Sequence, residues 1–500
     1  MESEGHRRKR SDRSENGDKS NRNNRSDGGS GSHRSKRSAG NSRTDRSNTG
    51  HNRKRSSETT AREIAATILS AVDSRSAFSD RLLSSYLKEV QLSPEDRNLL
   101  TYLVKGTLRW RGRVDWVLSS LLKTELADLP TWIRNVLRLG AFQILFMDRI
   151  PASAATNESV KLARKRGHPG TAGLVNAVLR RLVSTKDAIQ YPSVEKDAVA
   201  GVSILYSHPE WIVRRWLQRF GLERTIRICE ANNSSNHIFI RPNRTRVEPA
   251  TLMAKLREGG IAAELCGLNP SMIKVSGELV PATDPSFKAG LYSPQDEGES
   301  LVCSLLSVEN AGAFLDLCAG PGGKATQIAE MTSDAKPVYC LEVHHSRSRQ
   351  VQEAARRLGL GSVEVVTGDG RVVPFKGKFE RILVDAPCTG LGVIGKRADA
   401  RWRKKETSLS LLAELQKELL DSASNLLDEG GVLVYSVCSF EQEETSEVIS
   451  SFLKSHHDLE IESASGFVDE FLVDESGAML ILPDQYGTDG LFAMRMRKVR

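Results

Sequence analysis

After Gly290 the chain alternates short apolar runs with helical segments, and this alternation limits the possible folds more than any other feature of the sequence. Short apolar runs separated by helices are typical of an α/β fold with a doubly wound, mostly parallel sheet. The predicted strands are Gly312–Asp316, Pro337–Glu342, Val363–Thr367, Arg381–Asp385 and Gly431–Ser436. Since ligands bind beyond the carboxyl ends of such strands, we expect the functional residues where these runs end.

The chain before this region is helical in character. Between residues 59 and 185, apolar residues recur at three- and four-residue spacing, first in the stripe that begins at Ile64 and Ile68 and later through residues 99–108, 133–145 and 160–182. Prolines between these stripes stand where helices commonly begin. We therefore predict an all-helical bundle over residues 59–188.

Residues 189–285 mix helical and strand-like segments. Trp211–Phe220 has the pattern of a helix, whereas His237–Arg241 and Ser271–Val275 have the pattern of strands. We predict a small α+β connector here, between the helical bundle and an α/β domain over residues 286–500.

The N-terminal segment, residues 1–58, differs from everything that follows. Residues 1–57 contain 16 Lys or Arg and 7 Asp or Glu, whereas the rest of the chain is nearly neutral. A segment of Arg, Ser, Asn and Gly with almost no apolar residue cannot form a core, so we expect disorder. It is either an arm that attracts RNA phosphates or a solubilising extension. Its seven acids and lack of an apolar face do not favour an organellar import signal.

The composition excludes several classes of protein. The seven cysteines include no CxxC pair, which argues against a disulfide scaffold and a structural metal site and favours a reducing compartment. No stretch approaches the roughly 20 apolar residues of a membrane helix. We expect a soluble, cytoplasmic, monomeric protein without a bound metal.

A glycine-rich turn follows the first predicted strand, in the sequence DLCAGPGGK that begins at Asp316. Glycines allow backbone amides to approach a ligand closely, which suits a nucleoside cofactor, although a plain tight turn remains the alternative. The pattern is neither GxGxxG nor a Walker loop. The candidate cofactor-binding residues of this turn are Cys318, Ala319, Gly320, Pro321, Gly322, Gly323 and Lys324.

Acidic residues follow the next two strands. Glu342 ends the second strand, where a carboxylate can accept hydrogen bonds from ribose hydroxyls. Asp369 follows the third, where a carboxylate can bind an adenine amino group. Each acid alone is more simply a solvated strand end, but both in series after the glycine turn predict a nucleoside site.

The fourth and fifth strands end in cysteine motifs, with Asp385 and Cys388 after one and Cys438 after the other. A lone free cysteine is usually a small buried apolar residue, but two at ligand-side strand ends suggest chemistry. Carbon 5 of cytosine is a poor nucleophile until a thiolate adds to carbon 6, which requires an activated cysteine. Asp385 is placed to hydrogen-bond the cytosine ring nitrogen or amine. Spacing alone does not decide which cysteine attacks.

The chain resembles the Sun/Fmu (RsmB-type) ribosomal RNA cytosine-5 methyltransferases of the Nop2/Sun superfamily. The resemblance lies in DLCAGPGGK from Asp316, GDGR from Gly368, DAPCTGLG from Asp385 and YSVCSF from Tyr435, with flanking matches GLYSPQDEGES from Gly290 and GTDGLFAMRMRK from Gly487. The helical segment resembles the NusB-like RNA-binding domain of the same subfamily. The resemblance covers residues 60–500.

This resemblance implies a Rossmann-like S-adenosylmethionine-dependent methyltransferase domain that acts on small-subunit ribosomal RNA. Cys438 corresponds to the family nucleophile, and Cys388 to the cysteine that assists proton removal or product release. The implied cofactor residues are Cys318 to Lys324, Glu342, Asp369 and Asp385. This chain departs from the family in having Val437 before the nucleophile instead of Thr, and Gly320 where Ala is common. Neither change removes a catalytic atom.

A basic segment follows the Cys388 motif. Its candidate RNA-contacting residues are Lys396, Arg397, Arg401, Trp402 and Arg403. Cations and an aromatic ring suit phosphate contacts and base stacking, and the alternative is a solvated charged loop.

Two other functions remain open. A noncatalytic RNA-binding assembly factor would depend on the bundle alone, and it would have no use for two positioned thiols. Methylation of another RNA, such as transfer RNA, would use the same residues on a different substrate.

Overall fold

The helical bundle predicted from the apolar periodicity is present. The computed structural model describes residues 60–75, 77–234, 237–277 and 279–499, so the basic tail predicted over residues 1–58 lies outside the described residues. The bundle helices are α1 (Ala61–Arg75), α2 (Ser79–Glu89), α3 (Pro94–Arg109), α4 (Arg111–Leu121), α5 (Thr131–Phe146), α6 (Ala152–Arg166) and α7 (Pro169–Thr185). The stripe predicted through residues 160–182 is two helices, because the chain breaks at Gly167.

Local sequence explains how the bundle helices begin and pack. Ser93 caps α3 by accepting a hydrogen bond from the backbone N–H of Asp96 at 3.1 Å. Helix α3 then packs closely on α5, because a Cβ on Gly106 would lie 2.1 Å from the ring of Phe142. The buried Arg138 joins α5 to α1 and α4 through ion pairs with Asp73 and Asp115. Apolar stripes therefore form the core, and one buried ion-pair network connects the helices across it.

The connector contains an antiparallel sheet with helices beside it. Its elements are α8 (Ala198–Leu205), α9 (Glu210–Ser234), β1 (His237–Pro242), α10 (Pro249–Glu258), β2 (Ala262–Leu265), β3 (Ile273–Ser276), α11 (Pro285–Lys288) and β4 (Tyr292–Pro294), and the strand order is β2-β3-β1-β4. The predicted helix Trp211–Phe220 is the first part of α9, which changes direction at Gly221, where φ is 73°. Strand β4 lies beyond residue 285, where we placed the connector boundary, and the four-segment division remains a prediction.

The C-terminal region contains the predicted parallel sheet. Its strands are β5 (Phe314–Asp316), β6 (Val338–Glu342), β7 (Val363–Thr367), β8 (Phe379–Asp385), β9 (Leu427–Val437), β10 (Leu459–Glu462), β11 (Met479–Ile481) and β12 (Leu491–Lys498). The order is β10-β12-β9-β8-β5-β6-β7, with β11 also paired to β12. Strands β5 to β9 are parallel to one another, as predicted, whereas β10, β11 and β12 add an antiparallel edge, paired to β9 through β12, that we did not predict.

Helices cover both faces of this sheet and connect its strands. They are α12 (Glu297–Leu301), α13 (Gly323–Met331), α14 (His345–Leu358), α15 (Ser408–Leu426), α16 (Ser446–Leu453) and α17 (Pro483–Tyr486). The register pairs Asp316 with Leu383 and Asp385 with Ser436, so β5, β8 and β9 end at one edge. The glycine turn and both cysteine motifs are thereby brought to the same place.

The predicted fold class is confirmed: an all-helical N-terminal region, a small antiparallel α+β sheet and a mixed α/β domain. None of the helices within the described residues is both long enough and apolar enough to cross a bilayer. The same residues contain no cluster of three or more His, Cys, Asp or Glu side chains suited to a metal ion.

Candidate active site

The glycine turn lies against Glu342 at the carboxyl ends of β5 and β6. The backbone N–H of Gly320 donates to Glu342 Oε2 at 3.1 Å, and the N–H of His344 donates to Oε1 at 2.8 Å. A Cβ at position 320 would lie 2.2 Å from Glu342 Oε2. The glycine that departs from the family pattern therefore leaves the space that this carboxylate occupies. Gly322 has a φ of 105°, which also favours glycine.

A residue of the connector, which the sequence did not point to, supports this turn from behind. Arg241 in β1 is buried and donates from Nη1 to the backbone oxygen of Gly323 at 2.7 Å. Its Nε donates to Glu330 at 2.8 Å and its Nη2 to Thr326 at 3.0 Å, both on α13. The guanidinium therefore joins the connector sheet to the first turn of α13, where the glycine-rich segment becomes helical.

The side chain of Asp369 is paired with Arg371 and not with the glycine turn or Glu342. Its two carboxylate oxygens accept hydrogen bonds from the side chain of Arg371, which lowers its pKa, and the backbone N–H of Arg371 contributes. The backbone N–H of the preceding residue, Gly368, nevertheless donates to the carbonyl of Glu342 at 3.1 Å. The backbone before Asp369 thus adjoins Glu342, and the adenine contact of its side chain remains a proposal.

Asp385 forms an ion pair with the last residue of the glycine-rich motif. Lys324 Nζ lies 2.8 Å from Asp385 Oδ2, and Ser436 Oγ donates to Oδ1 at 2.8 Å. Burial lowers the pKa of Lys324, but Asp385, Glu299 and the Cys438 sulfur together raise it well above its ordinary value. An ammonium charge is therefore held at the strand ends, near the Cys438 thiol.

The two cysteine motifs meet in one small volume. The backbone N–H groups of Gly390 and Cys438 donate to the Cys388 sulfur, and Gly392 N–H donates to the carbonyl of Cys438 at 3.1 Å. Burial raises the pKa of the Cys388 thiol to about 12, although those two N–H groups lower it. Burial and Glu299 also raise the pKa of Cys438 well above its ordinary value, while Lys324 lowers it. Both side chains are neutral thiols near pH 7.

A buried carboxylate fixes the loop that carries Cys388. Glu444 accepts hydrogen bonds from the backbone N–H of Thr389 at 2.7 Å and from its hydroxyl. Gln416 of α15 donates to the carbonyl of Pro387 at 2.9 Å. Val437, which stands where the family has Thr, is fully buried in β9, and its side chain packs in the apolar core.

Glu299 is a site residue that the sequence analysis did not single out. Its Oε1 accepts from Cys438 Sγ at 3.4 Å. Next to it, Lys396 Nζ pairs with Asp296 and lies 3.0 Å from Asp489 Oδ2. Both flanking motifs, GLYSPQDEGES and GTDGLFAMRMRK, thus contribute acids to the active site. Glu299 lies in the first of these motifs, and the resemblance of that motif to the family was the only sequence feature that pointed to it.

The predicted RNA-contacting segment requires correction at Arg401. Its side chain is fully buried, and its guanidinium donates to the backbone oxygens of Ser207, Arg109 and Asn232 and to the side chain of Asn233. A side chain with no exposed surface cannot contact RNA, so this prediction is wrong. Burial lowers its pKa to about 9, and the guanidinium remains protonated at neutral pH. Arg401 instead connects the catalytic region to α3, to the turn after α8 and to α9.

The neighbours of Arg401 also contact protein. Trp402 donates from Nε1 to the carbonyl of Leu108 at 2.7 Å, and Arg403 forms an ion pair with Asp399 at 3.1 Å. Lys396 pairs with active-site carboxylates, as described above. Arg397 is exposed, so its contact with RNA stays a prediction. Most of the segment therefore connects the bundle to the cysteine loop.

Replacing Arg401 by Met is expected to lower the free energy of unfolding by about 3 kcal/mol or more, because several buried carbonyls lose their donor. Arg401→Lys recovers only part of this loss, since an ammonium cannot reproduce the guanidinium fork. Denaturant titration measures the effect, with the exposed Arg397→Met as control, expected to change stability by less than about 0.5 kcal/mol. An Arg401→Met protein of unchanged stability but weakened RNA binding would contradict this assignment.

Three families match successive parts of the chain. Residues 59–184 match the NusB family, residues 208–281 match the ferredoxin-like domain of RsmF/B-like methyltransferases, and residues 303–497 match the family described as 16S rRNA methyltransferase RsmB/F. Over 453 residues the chain is 35% identical to the probable ribosomal RNA small subunit methyltransferase B of Bacillus subtilis, which covers 88% of this chain and 99% of that protein. The chain belongs to the RsmB methyltransferase family.

Other relatives agree with membership of the RsmB family. The corresponding Synechocystis protein is 31% identical over 451 residues, with 88% of this chain and 99% of that protein covered. The crystal structure of PH0851 has the same fold over 88% of this chain and 99% of that chain, with a TM-score of 0.76 and 24% identity. That of NSun6 from Pyrococcus horikoshii with SFG shares the fold over 59% of this chain and all of that one, with a TM-score of 0.54 and 20% identity.

The family assignment confirms the resemblance drawn from the motifs and the NusB-like nature of the bundle. It also establishes the enzyme class: members of the RsmB family are S-adenosylmethionine-dependent methyltransferases, and this chain is one of them.

Proposed function

We propose that this enzyme methylates carbon 5 of a cytosine in small-subunit ribosomal RNA, with S-adenosylmethionine as donor and Cys438 as nucleophile. The observation that carries the proposal is the meeting of two thiols and the Lys324–Asp385 pair at the strand ends beside the glycine turn. The relatives named for small-subunit ribosomal RNA support the substrate. The NusB-like bundle favours RNA as the partner of the catalytic region.

The residues of the glycine turn fit a nucleoside cofactor. Glu342 is buried at a strand end, and each of its oxygens accepts one backbone N–H and can accept a further hydrogen bond from a ribose hydroxyl. A Cβ built on Gly323 would meet nothing within 4 Å, so the first turn of α13 borders open space. Cys318 to Lys324 and Glu342 would hold the cofactor, with Asp369 near the adenine and Asp385 near the methionine part. When bound, S-adenosylmethionine supplies an electrophilic methyl group.

The residues around Cys438 suit addition to a flipped-out cytosine. The target base must leave any stack to reach the thiol. Asp385, held by Lys324 and Ser436, then accepts a hydrogen bond from the exocyclic amine and fixes the ring. Lys324 stabilises negative charge that develops on the sulfur and the ring. Attack by Cys438 on carbon 6 makes carbon 5 nucleophilic, and Cys388 assists release of the product.

Methyl transfer to isolated RNA tests this proposal. Purified protein is incubated with S-adenosylmethionine carrying a labelled methyl group and with small-subunit ribosomal RNA, and parallel reactions contain large-subunit ribosomal RNA or transfer RNA. We expect label in the small-subunit reaction alone, migrating as 5-methylcytidine after digestion to nucleosides. Label in a different nucleoside contradicts the chemistry, and label in transfer RNA alone contradicts the substrate.

The remaining expectations on partners and compartment belong to this proposal. All seven cysteines are free thiols. A cysteine nucleophile must stay reduced, and a reducing compartment such as the cytoplasm keeps it so. Action as a monomer is consistent with one chain carrying every proposed catalytic group.

A further inference from the structure

Within the part of the chain that the structure describes, one side chain is hydrogen-bonded to the thiol of Cys438, and that side chain is Glu299. Sγ and Oε1 are 3.4 Å apart, and among the described residues Cys438 is the hydrogen-bond partner of this carboxylate. Glu299 lies in α12, whose start is fixed by Asp296, which accepts the N–H of Gly298 at 3.0 Å. The hydroxyl of Thr488 also donates to Asp296. The contact therefore comes from a short helix that is anchored on two sides.

The other carboxylates near Cys438 are already paired with cations. Asp385 binds Lys324, while Asp296 and Asp489 both bind Lys396. Burial and Asp296 raise the pKa of Asp489 to about 7, with Glu299 contributing to the rise. Four charged or titratable side chains act on the pKa of the Cys438 thiol: Glu299, Cys388 and Asp385 raise it, and Lys324 lowers it. Asp385, Asp296 and Asp489 are thus paired with lysines, whereas Glu299 is hydrogen-bonded to the sulfur of Cys438.

A neutral thiol needs an acceptor for its proton at the moment of attack. The raised pKa of Cys438 means that little thiolate exists near pH 7, and bound RNA and cofactor would exclude water from this volume. Lys324 is held protonated, so it stabilises charge but cannot take the proton. Cys388 is itself a neutral thiol.

We propose that Glu299 is a catalytic residue that accepts the thiol proton of Cys438 as the sulfur attacks carbon 6 of the cytosine. This inference rests on the proposed function and adds the general base to it. General bases in hydrogen-bond contact with the nucleophile typically contribute about 10²- to 10⁴-fold to the rate.

The proton and electron balance of the step is as follows. The S–H bond of Cys438 breaks, its proton forms an O–H bond on Glu299, and the sulfur–carbon 6 bond forms. The π electrons of the carbon 5–carbon 6 bond move into the ring toward the edge that Asp385 and Lys324 hold. These electrons then form the bond between carbon 5 and the methyl group. When carbon 5 loses its proton to solvent, the electrons of that C–H bond restore the carbon 5–carbon 6 double bond, and the sulfur leaves with the electron pair of the sulfur–carbon 6 bond. Cys438 then recovers its proton from Glu299.

Two roles of Glu299, a general base and a negative charge that only raises the pKa of Cys438, predict opposite effects of Glu299→Gln on the rate of methyl transfer. Because Glu299 raises the pKa of Cys438, replacing it by Gln gives the free enzyme more thiolate. If Glu299 acted only through its charge, Glu299→Gln would react faster. If Glu299 is the base, Glu299→Gln reacts more slowly although its thiol is easier to ionise.

The experiment compares wild type, Glu299→Gln, Glu299→Asp and the exposed control Glu309→Gln in single-turnover methyl transfer to small-subunit ribosomal RNA between about pH 6 and 9. We expect Glu299→Gln to be about 10²-fold slower near pH 7, with a rate that rises about tenfold per pH unit because hydroxide must now remove the proton. Glu299→Asp, which keeps a carboxylate, should recover at least about tenfold over Gln. Glu309→Gln should match wild type.

A second measurement separates loss of the base from loss of the folded site. Alkylation of Cys438 by iodoacetamide, followed by mass spectrometry of its peptide, should be at least as fast in Glu299→Gln as in wild type. If Glu299→Gln transfers methyl groups as fast as wild type while Cys438→Ala does not, the inference is wrong and the proposed function stands. If Cys438→Ala also retains full activity, the proposed function itself fails.

Discussion

Cys438→Ala is expected to reduce methyl transfer by at least about 10⁴-fold, the largest effect that we expect from a single substitution in this protein. Without the sulfur, carbon 5 of cytosine stays a poor nucleophile, and positioning of base and cofactor cannot compensate. The loss should appear in the turnover rate, because Lys324, Asp385 and the glycine turn still bind their ligands. Labelled methyl incorporation into small-subunit ribosomal RNA measures it.

A cysteine outside the active site provides the control. Cys266 is buried in the connector beside Phe239 and Met272, and Cys266→Ala should keep the wild-type turnover rate. Isothermal titration should give both variants similar affinity for S-adenosylmethionine. Equal methyl transfer by wild type and Cys438→Ala would rule out Cys438 as the nucleophile.

Cys388→Ala is expected to have the second largest effect, accumulation of a covalent enzyme–RNA adduct. Cys388 lies where the backbone N–H of Cys438 reaches its sulfur, adjacent to any base bound to Cys438. If it assists release, its removal leaves addition and methylation intact but slows the breaking of the bond between sulfur and carbon 6. A denaturing gel should then show an RNA-shifted protein band that wild type lacks, and turnover should fall by at least about 10²-fold.

The double variant Cys388→Ala/Cys438→Ala identifies the atom that forms this bond. It should give no shifted band, because the sulfur that adds to the base is gone. A band that persists in the double variant would assign the adduct to another residue. Absence of the band in Cys388→Ala alone would argue against the roles given to both cysteines.

Elements with a strong local pattern were predictable from the sequence. The parallel strands β5 to β9 were predicted to within a few residues because buried parallel strands are continuous apolar runs. The glycine turn, Glu342 and both cysteine motifs were found because each follows such a run directly. The antiparallel edge strands β10 to β12 were missed. Strand β10 alternates apolar and acidic residues, and the apolar strands β11 and β12 are joined by the single turn α17 instead of a helix of the doubly wound pattern.

The sequence by itself determined the fold class, the family and the presence of two thiols at the ligand edge of the sheet, because these depend on periodicity and on short contiguous motifs. Only the tertiary structure decided that Arg401 is a buried interdomain contact and that Glu299 faces Cys438. Arg401 stands in a run of basic residues that looks the same whether it binds RNA or backbone oxygens. Glu299 and Cys438 are 139 residues apart. Burial and contact between distant segments depend on how the helices and strands pack, and the spacing of residues within one segment does not determine that packing.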